Sequence, residues 1–160
     1  MKPLFPYDRE AAISYARKWA LRRNPDYYNF ANLGGDCTNF ISQCLYAGAK
    51  RMNNTPTYGW YYKNLSNRTP SWTGARFLYD FLKNNKNAGP QAVITTHDGI
   101  IAGDIIQLQN NTGIIYHSLF VLKAGEKILL AAHDLDSYNR SLDTYQYADI
   151  VFWHIIGVGQ

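Results

Sequence analysis

Apolar residues recur at helical spacing near the start of the chain. Between residues 8 and 22 they form one face, which consists of Ala12, Ile13, Ala16, Trp19 and Ala20. Asp8 precedes this segment as a candidate N-cap, and Asn24-Pro25 follows it as a stop signal. The pattern predicts an amphipathic helix that begins after Asp8 and runs to about Arg22.

A second helical pattern begins at Cys37. Its apolar positions are Phe40, Ile41, Cys44 and Leu45. Gly34 and Gly35 permit a sharp turn before it, and Gly48 is a natural C-terminal residue. Asp36 can accept hydrogen bonds from the first free amides of the helix. We therefore expect a buried helix whose first turn carries Cys37.

The region from Lys50 to about Thr73 has no clean period. Its aromatic residues, around Trp60 and Trp72, predict a loop layer. Such a layer is either packing beneath a long loop or a platform for a substrate, since long loops in compact domains are often functional. A further helix is predicted from about Gly74 to Asn84. Its inner side is expected to carry Phe77, Leu78, Phe81 and Leu82.

Strand-like runs follow the turn-rich segment 84–90. The expected strands are Ala92–Thr96, Asp104–Gln109, Ile114–Lys123, Lys127–His133 and Asp149–Val158. Early helices and late strands are typical of an α+β fold, with N-terminal helices packed on a C-terminal antiparallel β-sheet. With 160 residues, the chain is expected to form a single domain, residues 1–160.

Charge and composition narrow the possible partners. The net charge is +4 and the pI is near 9.0, but the lysines and arginines are scattered. We therefore expect no nucleic-acid partner, and only a weak attraction to anionic polymers such as bacterial wall material. No apolar run approaches the roughly 18 residues of a membrane span. Residues 1–6 lack the apolar core of a signal peptide. The compartment stays open: a cytoplasmic protein and export by another route are both compatible with the sequence, and the chain would be extracellular or wall-associated if it is a domain of a secreted protein. We expect a monomer.

Cys37 is the strongest candidate for chemistry. Its neighbours are Gly, Asp, Thr and Asn, whereas Cys44 lies in the apolar stripe and fits an inert core cysteine. Unpaired N–H groups and the helix dipole favour a thiolate at a helix start, below the usual thiol pKa of about 8.5. The two cysteines cannot form a disulfide, because seven residues of helix separate their Cα atoms by roughly 10 Å.

A cysteine nucleophile needs a base, and the chain has four histidines. His97 lies in a predicted turn, and His154 fits a core histidine. His117 opens one predicted strand and His133 ends the next. An odd number of residues in the connecting loop around Gly125 would place both side chains on one face of the sheet. No residues have zinc-ligand spacing, so we expect no metal or other cofactor. No G-x-S-x-G elbow supports a serine nucleophile.

Residues 35–45 resemble the cysteine motif of the bacterial putative amidase domain family. This family is related to the NlpC-type cell-wall hydrolases of the papain-like cysteine peptidase superfamily. The likeness extends over about residues 7–156 and includes, in order, Tyr7 with Arg9, Asn24-Pro25, Gly59-Trp60-Tyr61-Tyr62, Gly103-Asp104, His117-Ser118, and His133-Asp134 before Asp136 and Arg140.

The resemblance implies a papain-like or NlpC-like fold and a thiol-dependent amide or peptide hydrolase. Cys37 would attack the carbonyl carbon, and His117 would act first as base and then as acid. His133 would orient His117. Asp134 is the reserve for that role, and Asp36 is a further supporting candidate.

The resemblance also implies a substrate, a bacterial cell-wall peptide or a related amide. Trp60, Trp72 and tyrosines such as Tyr28 could line its groove. The backbone N–H of Cys37 would be one oxyanion donor, and a second is expected from residues 27–32, since no Gln precedes the cysteine.

Two other classes stay open at this point. One is a non-catalytic wall- or glycan-binding module, which would keep no activated thiol. The other is an acyltransferase that passes the same thioester to an amine acceptor.

Overall fold

A computed structural model of the chain describes residues 2–133 and 135–160. Within these residues it is an α+β structure, as predicted, in which four α-helices accompany a six-stranded antiparallel sheet. The helices are α1 (Arg9–Trp19), α2 (Cys37–Ala49), α3 (Pro70–Thr73) and α4 (Ala75–Asn84).

The strands of the main sheet lie in the order β3-β8-β4-β5-β6-β7. Their bounds are β3 (Gly89–Thr95), β4 (Ile105–Gln109), β5 (Ile115–Lys123), β6 (Leu129–Ala132), β7 (Ser137–Ser141) and β8 (Asp149–Gly159). A separate hairpin joins β1 (Tyr62–Asn64) to β2 (Asn67–Arg68). The last strand, β8, therefore lies inside the sheet, between β3 and β4.

Helix α1 begins where the sequence predicts. The Asp8 side chain accepts a hydrogen bond from the backbone N–H of Ala11 at 3.0 Å, which caps the helix. Ala12, Ala16 and Ala20 are completely buried, so the small face packs closely on its neighbours. The helix ends at Trp19 rather than near Arg22, because the N–H of Arg22 bonds the carbonyl of Trp19 at 3.2 Å in a tighter turn.

Gly48 does not end helix α2, contrary to the prediction. The helix runs one residue further, and Lys50 closes it in the left-handed region with φ 55°. Gly48 instead lies where the segment before α1 crosses α2. A Cβ atom there would be 2.5 Å from Cε1 of Tyr7 and 2.8 Å from the carbonyl oxygen of Asp8. The glycine is therefore required by close packing and not by the helix end.

Both faces of the sheet are buried. Alternation along β5 sends Phe120 and Leu122 into a core shared with α1, α2 and α4, whereas Leu119 and Val121 join a second core. The second core is closed by residues of the loops, such as Leu142 and Tyr145. The site described below lies where α2 begins against β5.

Most predicted elements match the structure in position, whereas β1, β2 and α3 in the predicted loop layer, and β7, were missed. Helix α4 has the expected bounds, although Phe77 on its predicted inner side is exposed. Residues 137–141 read Ser-Tyr-Asn-Arg-Ser, which has no apolar alternation. This segment forms a strand because it pairs with β6 at the sheet edge, where only one side is covered. The preceding strand, β6, ends at Ala132, so His133 lies just beyond it.

The two ends of the described chain lie side by side. Phe5 and Val158 form an isolated antiparallel bridge, with N–H to carbonyl distances of 2.8 and 2.9 Å. Among the helices that the structure describes, none is long and apolar enough to cross a membrane.

Candidate active site

Cys37 is the first residue of α2 and is partly exposed. Its Sγ atom lies 3.7 Å from Oγ1 of Thr38. Cys44, two turns further along, is completely buried, and this burial raises the pKa of its thiol well above the ordinary value. The helix thus separates a reachable thiol at its start from an inert one in its middle.

Asp36 occupies the N-cap position, but its side chain does not cap the helix. The carboxylate is buried and turned towards other groups. Its Oδ1 accepts hydrogen bonds from the backbone N–H of Phe30 at 2.8 Å and from the Asn39 side chain at 3.0 Å. Its Oδ2 lies 2.7 Å from Nδ1 of His133 and 3.2 Å from Nε of Arg23.

Burial alone would raise the pKa of Asp36. The hydrogen bonds from His133, Asn39 and Phe30 outweigh this effect and hold the pKa below its ordinary value. The carboxylate is therefore ionised at neutral pH. Because this buried anion has several hydrogen-bond donors around it, Asp36 holds the loop that precedes Cys37 in place.

His133 is enclosed by the two N-terminal helices. Its Nε2 atom lies 2.7 Å from the carbonyl oxygen of Trp19, and its Nδ1 atom faces Asp36. The ring stacks on Phe40 with a centroid separation of 4.0 Å. Both ring nitrogens therefore have partners in this part of the structure.

His117 lies in β5, opposite Leu108 of β4, and is buried. The ring centroid of His117 is 5.9 Å from that of Tyr145. Next to it in the strand, Ser118 faces α2, and its Oγ lies 2.9 Å from Oγ1 of Thr38. The Gln107 side chain donates to the same serine at 3.1 Å. These bonds join residue 38 to residue 118, so the start of α2 is held against β5 beside His117.

Strands β5 and β6 stop pairing close to His117. Among the residues that the structure describes, the pairs between β5 and β6 run from Lys123 with Leu129 to Phe120 with Ala131. The pairing therefore ends three residues before His117 in β5, while β4 continues alongside. Among the described residues, His117 therefore pairs with β4 and has no β6 pair.

The structure places the two candidate histidines in different surroundings. The pairing of β5 with β6 has a register shift between Val121 and Lys123. His133 packs on Phe40 of α2, whereas the ring of His117 lies beside that of Tyr145. His133 does not hydrogen-bond His117, because its two nitrogens bind Asp36 and the Trp19 carbonyl. The reserve residue for this role, Asp134, lies outside the described residues.

The two tryptophans that were predicted to line a groove belong to the core. Trp60 and Trp72 have no exposed surface, and their Nε1 atoms donate to Ser42 at 3.0 Å and to Asn39 at 3.1 Å. A side chain without exposed surface cannot contact a substrate. Tyr28 is 44% exposed and packs edge-on against Phe30.

Asp104 is a buried structural carboxylate, which the sequence analysis did not identify. It is completely buried, and it accepts hydrogen bonds from Arg9 at 2.8 Å and from the backbone N–H of Ile155 at 2.9 Å. His154 lies 2.9 Å from the same carboxylate and is partly exposed, so it is not a fully enclosed core histidine. The sequence did contain a signal for this role, because Asp104 directly precedes an apolar strand. A carboxylate buried at such a position needs a charged or hydrogen-bonding partner.

The described residues show two further features of the surface. No three His, Cys, Asp or Glu side chains among them lie together as a metal site would require. A cavity of about 530 Å³ is bordered by residues such as Asn53, Tyr58 and Phe77, and its lining does not include Cys37.

Comparison with known proteins identifies relatives. Residues 6–156 match the model of the family described as "Putative amidase domain", Amidase_6. The chain is 34% identical over 165 residues to "Uncharacterized protein YhbB" of Bacillus subtilis, covering 95% of this chain and 51% of that protein. It is 28% identical over 142 residues to "Uncharacterized protein YjcM" of the same organism, covering 83% and 32%.

The chain spans about half the length of the first of these relatives and a third of the second. No solved structure matches it. The family match covers nearly the whole described structure, including α1, the start of α2 and the strands around His117. The chain is therefore a member of the putative amidase domain family, whose name refers to the hydrolysis of amides.

Proposed function

We propose that the protein is a thiol-dependent amide hydrolase in which Cys37 is the nucleophile and His117 the general base. One observation carries this proposal. The contact between Thr38 and Ser118 holds a partly exposed thiol at the start of α2 next to the strand position that follows His117. A helix start favours the thiolate, and a neighbouring imidazole can take its proton.

The reaction would proceed in two stages. His117 accepts the thiol proton, and the sulfur of Cys37 forms a bond to the carbonyl carbon of the amide. The C–N bond then breaks, and the imidazolium returns a proton to the departing amine. Water, deprotonated by His117, attacks the thioester and releases a carboxylic acid and the free thiol. The backbone N–H of Cys37 is proposed to stabilise the oxyanion in both stages.

A third residue is needed to orient His117, and we propose Asp134 for this role. His133, the first candidate, is occupied by Asp36 and Trp19. Asp134 supplies a carboxylate directly after His133 in the chain, beyond the strand that pairs with β5. A carboxylate is a suitable partner for an imidazole that must become charged during the reaction.

The proposed substrate is a peptide or amide of the bacterial cell wall. This step rests on the resemblance of the cysteine and histidine motifs to those of NlpC-type hydrolases, and we propose a papain-like fold with it. The positive net charge is compatible with an anionic wall polymer. The partly exposed Tyr28, close to Asp36 and Asn39, is a candidate contact for such a substrate.

Alkylation by iodoacetamide tests the nucleophile. We expect selective labelling of Cys37 below pH 7, identified by mass spectrometry, with Cys44 unlabelled in the native protein. His117→Ala should move the labelling to the pH of an ordinary thiol, whereas His97→Ala is the matched control and should change nothing. Ordinary labelling of Cys37 in the unaltered protein would overturn the proposal and leave a binding module.

Product analysis tests the reaction class. Peptidoglycan fragments are incubated with the protein, and the products are identified by mass spectrometry with and without an added primary amine. Cleavage with gain of water supports a hydrolase. Exclusive formation of the amine adduct would identify an acyltransferase, and binding without any cleavage would contradict both.

A further inference from the structure

Four charged or titratable side chains form a continuous network behind Cys37. The guanidinium of Arg23 binds Asp136 in a bidentate manner, at 2.6 and 2.9 Å, while its Nε lies 3.2 Å from Asp36. Asp36 in turn faces His133 at 2.7 Å. The bidentate geometry gives this network a defined orientation, which single surface ion pairs lack.

His133 faces a hydrogen-bond acceptor on each side. The ring lies between the Asp36 carboxylate and the Trp19 carbonyl, so it is held in place from both sides. Its face is covered by Phe40. Asp36 faces both the His133 ring and the cation of Arg23.

The network joins three segments that are far apart in the chain. Arg23 and the Trp19 carbonyl belong to the end of α1 and the turn after it. Asp36 is the residue before Cys37. His133 and Asp136 lie on either side of positions 134 and 135. A shift of any one segment would break at least one of the bonds between them.

We infer that Asp36, His133, Arg23 and Asp136 are positioning residues, which hold the start of α2, and with it Cys37, against the end of α1 and the end of β6. This inference rests on the proposed function, because it matters for activity only if Cys37 is the nucleophile. His133 is only 1% exposed, so it is not a group that contacts substrate. Its role is to hold Asp36 and the Trp19 carbonyl.

The most accessible part of the network allows a test that preserves the fold. Asp136 is 31% exposed, so Asp136→Asn should alter the melting temperature little while weakening the bidentate pair. We expect kcat on the cleaved amide to fall about fivefold, with KM unchanged and slower alkylation of Cys37. Asp136→Glu should restore most of the rate. Asp143→Asn, which alters an exposed carboxylate outside the network, is the matched control.

Asp36→Asn extends the test to the buried centre. Misplacement by a fraction of an ångström is expected to lower kcat by about 30-fold or more, without a comparable change in KM. If this variant does not fold, Asp136→Asn and Asp136→Glu decide the question. Unchanged kcat and alkylation in Asp136→Asn would overturn the inference, provided that the unaltered protein has an activated Cys37. Ordinary alkylation in the unaltered protein would instead refute the proposed function.

Discussion

At the scale of single residues, the two cysteines of α2 differ in their surroundings. Cys37 is partly exposed at the helix start, where backbone N–H groups favour negative charge. Cys44 is enclosed by apolar side chains, and its thiol stays protonated because burial raises its pKa. The polar neighbours of Cys37 in the sequence anticipate this difference. The contact of Thr38 with Ser118 joins residues 80 positions apart and has no sequence signal.

Substitution of each cysteine should separate activity from stability. We expect Cys37→Ser to lower amide hydrolysis at least about 100-fold, since the alcohol is a much weaker nucleophile at neutral pH, and to leave the melting temperature nearly unchanged. Cys44→Ala should keep the activity and lose about 1 kcal/mol of unfolding free energy through a small cavity. Urea unfolding and the amide assay measure the two effects. Loss of activity in Cys44→Ala alone would contradict the assignment.

Acid should lower the free energy of unfolding by protonating Asp36. Its pKa is held below the ordinary carboxyl value of about 3.9, so its bonds with His133 and Arg23 stabilise the fold above that pH. This stabilisation is lost as the pH falls through the lowered pKa, by at most about 1.4 kcal/mol per pH unit. Urea unfolding at pH 5, 4, 3 and 2 checks the slope. In Asp36→Asn the same range should show a smaller decrease, and an equal decrease would argue against the role of this carboxylate.

At the scale of elements, helices were easier to predict than the contacts between them. The caps and apolar faces of α1, α2 and α4 are local signals, and the structure places these helices within a few residues of the expected bounds. Strand β7 and the register shift of the β5–β6 hairpin depend on pairing with other strands, which the local pattern does not contain. This register shift bears on how His117 and His133 are placed relative to each other, and no local pattern announces it.

Gly48 tests the crossing of α2 with the segment before α1. Alanine normally stabilises a helix relative to glycine, by roughly 0.5–1 kcal/mol. Here we expect Gly48→Ala to destabilise the protein by about 1–3 kcal/mol, because the added Cβ would meet the ring of Tyr7 and the carbonyl of Asp8. Thermal unfolding gives the sign. Lys83→Ala on the exposed surface of α4 is the control, and stabilisation by Gly48→Ala would refute the close approach.

At the scale of the whole molecule, buried polar groups connect the N-terminal helices to the sheet. Asp104 joins Arg9 of α1 to Ile155 of β8, and Asp36 joins α2 to the end of α1 and the segment after β6. The α+β class follows from the order of the elements and could be predicted. The burial of Trp60 and Trp72 could not, because an aromatic cluster in a sequence fits both a core and a surface groove.

Asp104→Asn should show how much the bonds of Asp104 to Arg9 and Ile155 contribute to the free energy of unfolding. Removal of the charge leaves Arg9 without its buried partner, and we expect a loss of about 3 kcal/mol of unfolding free energy. Chemical denaturation measures it. Lys50→Gln, which removes the exposed pair with Asp8, should have a much smaller effect, because solvent screens that pair. Equal effects of the two changes would contradict the importance of the buried carboxylate.

The bridge between Phe5 and Val158 makes the path of the chain almost a closed ring. A short flexible linker could therefore join the two ends, and new ends could be opened at the exposed turn of residues 110–114 between β4 and β5. Such a circular permutant would retain all the strand pairs of the sheet and the start of α2. The order of the elements in the gene and their arrangement in space are, in this protein, separable properties.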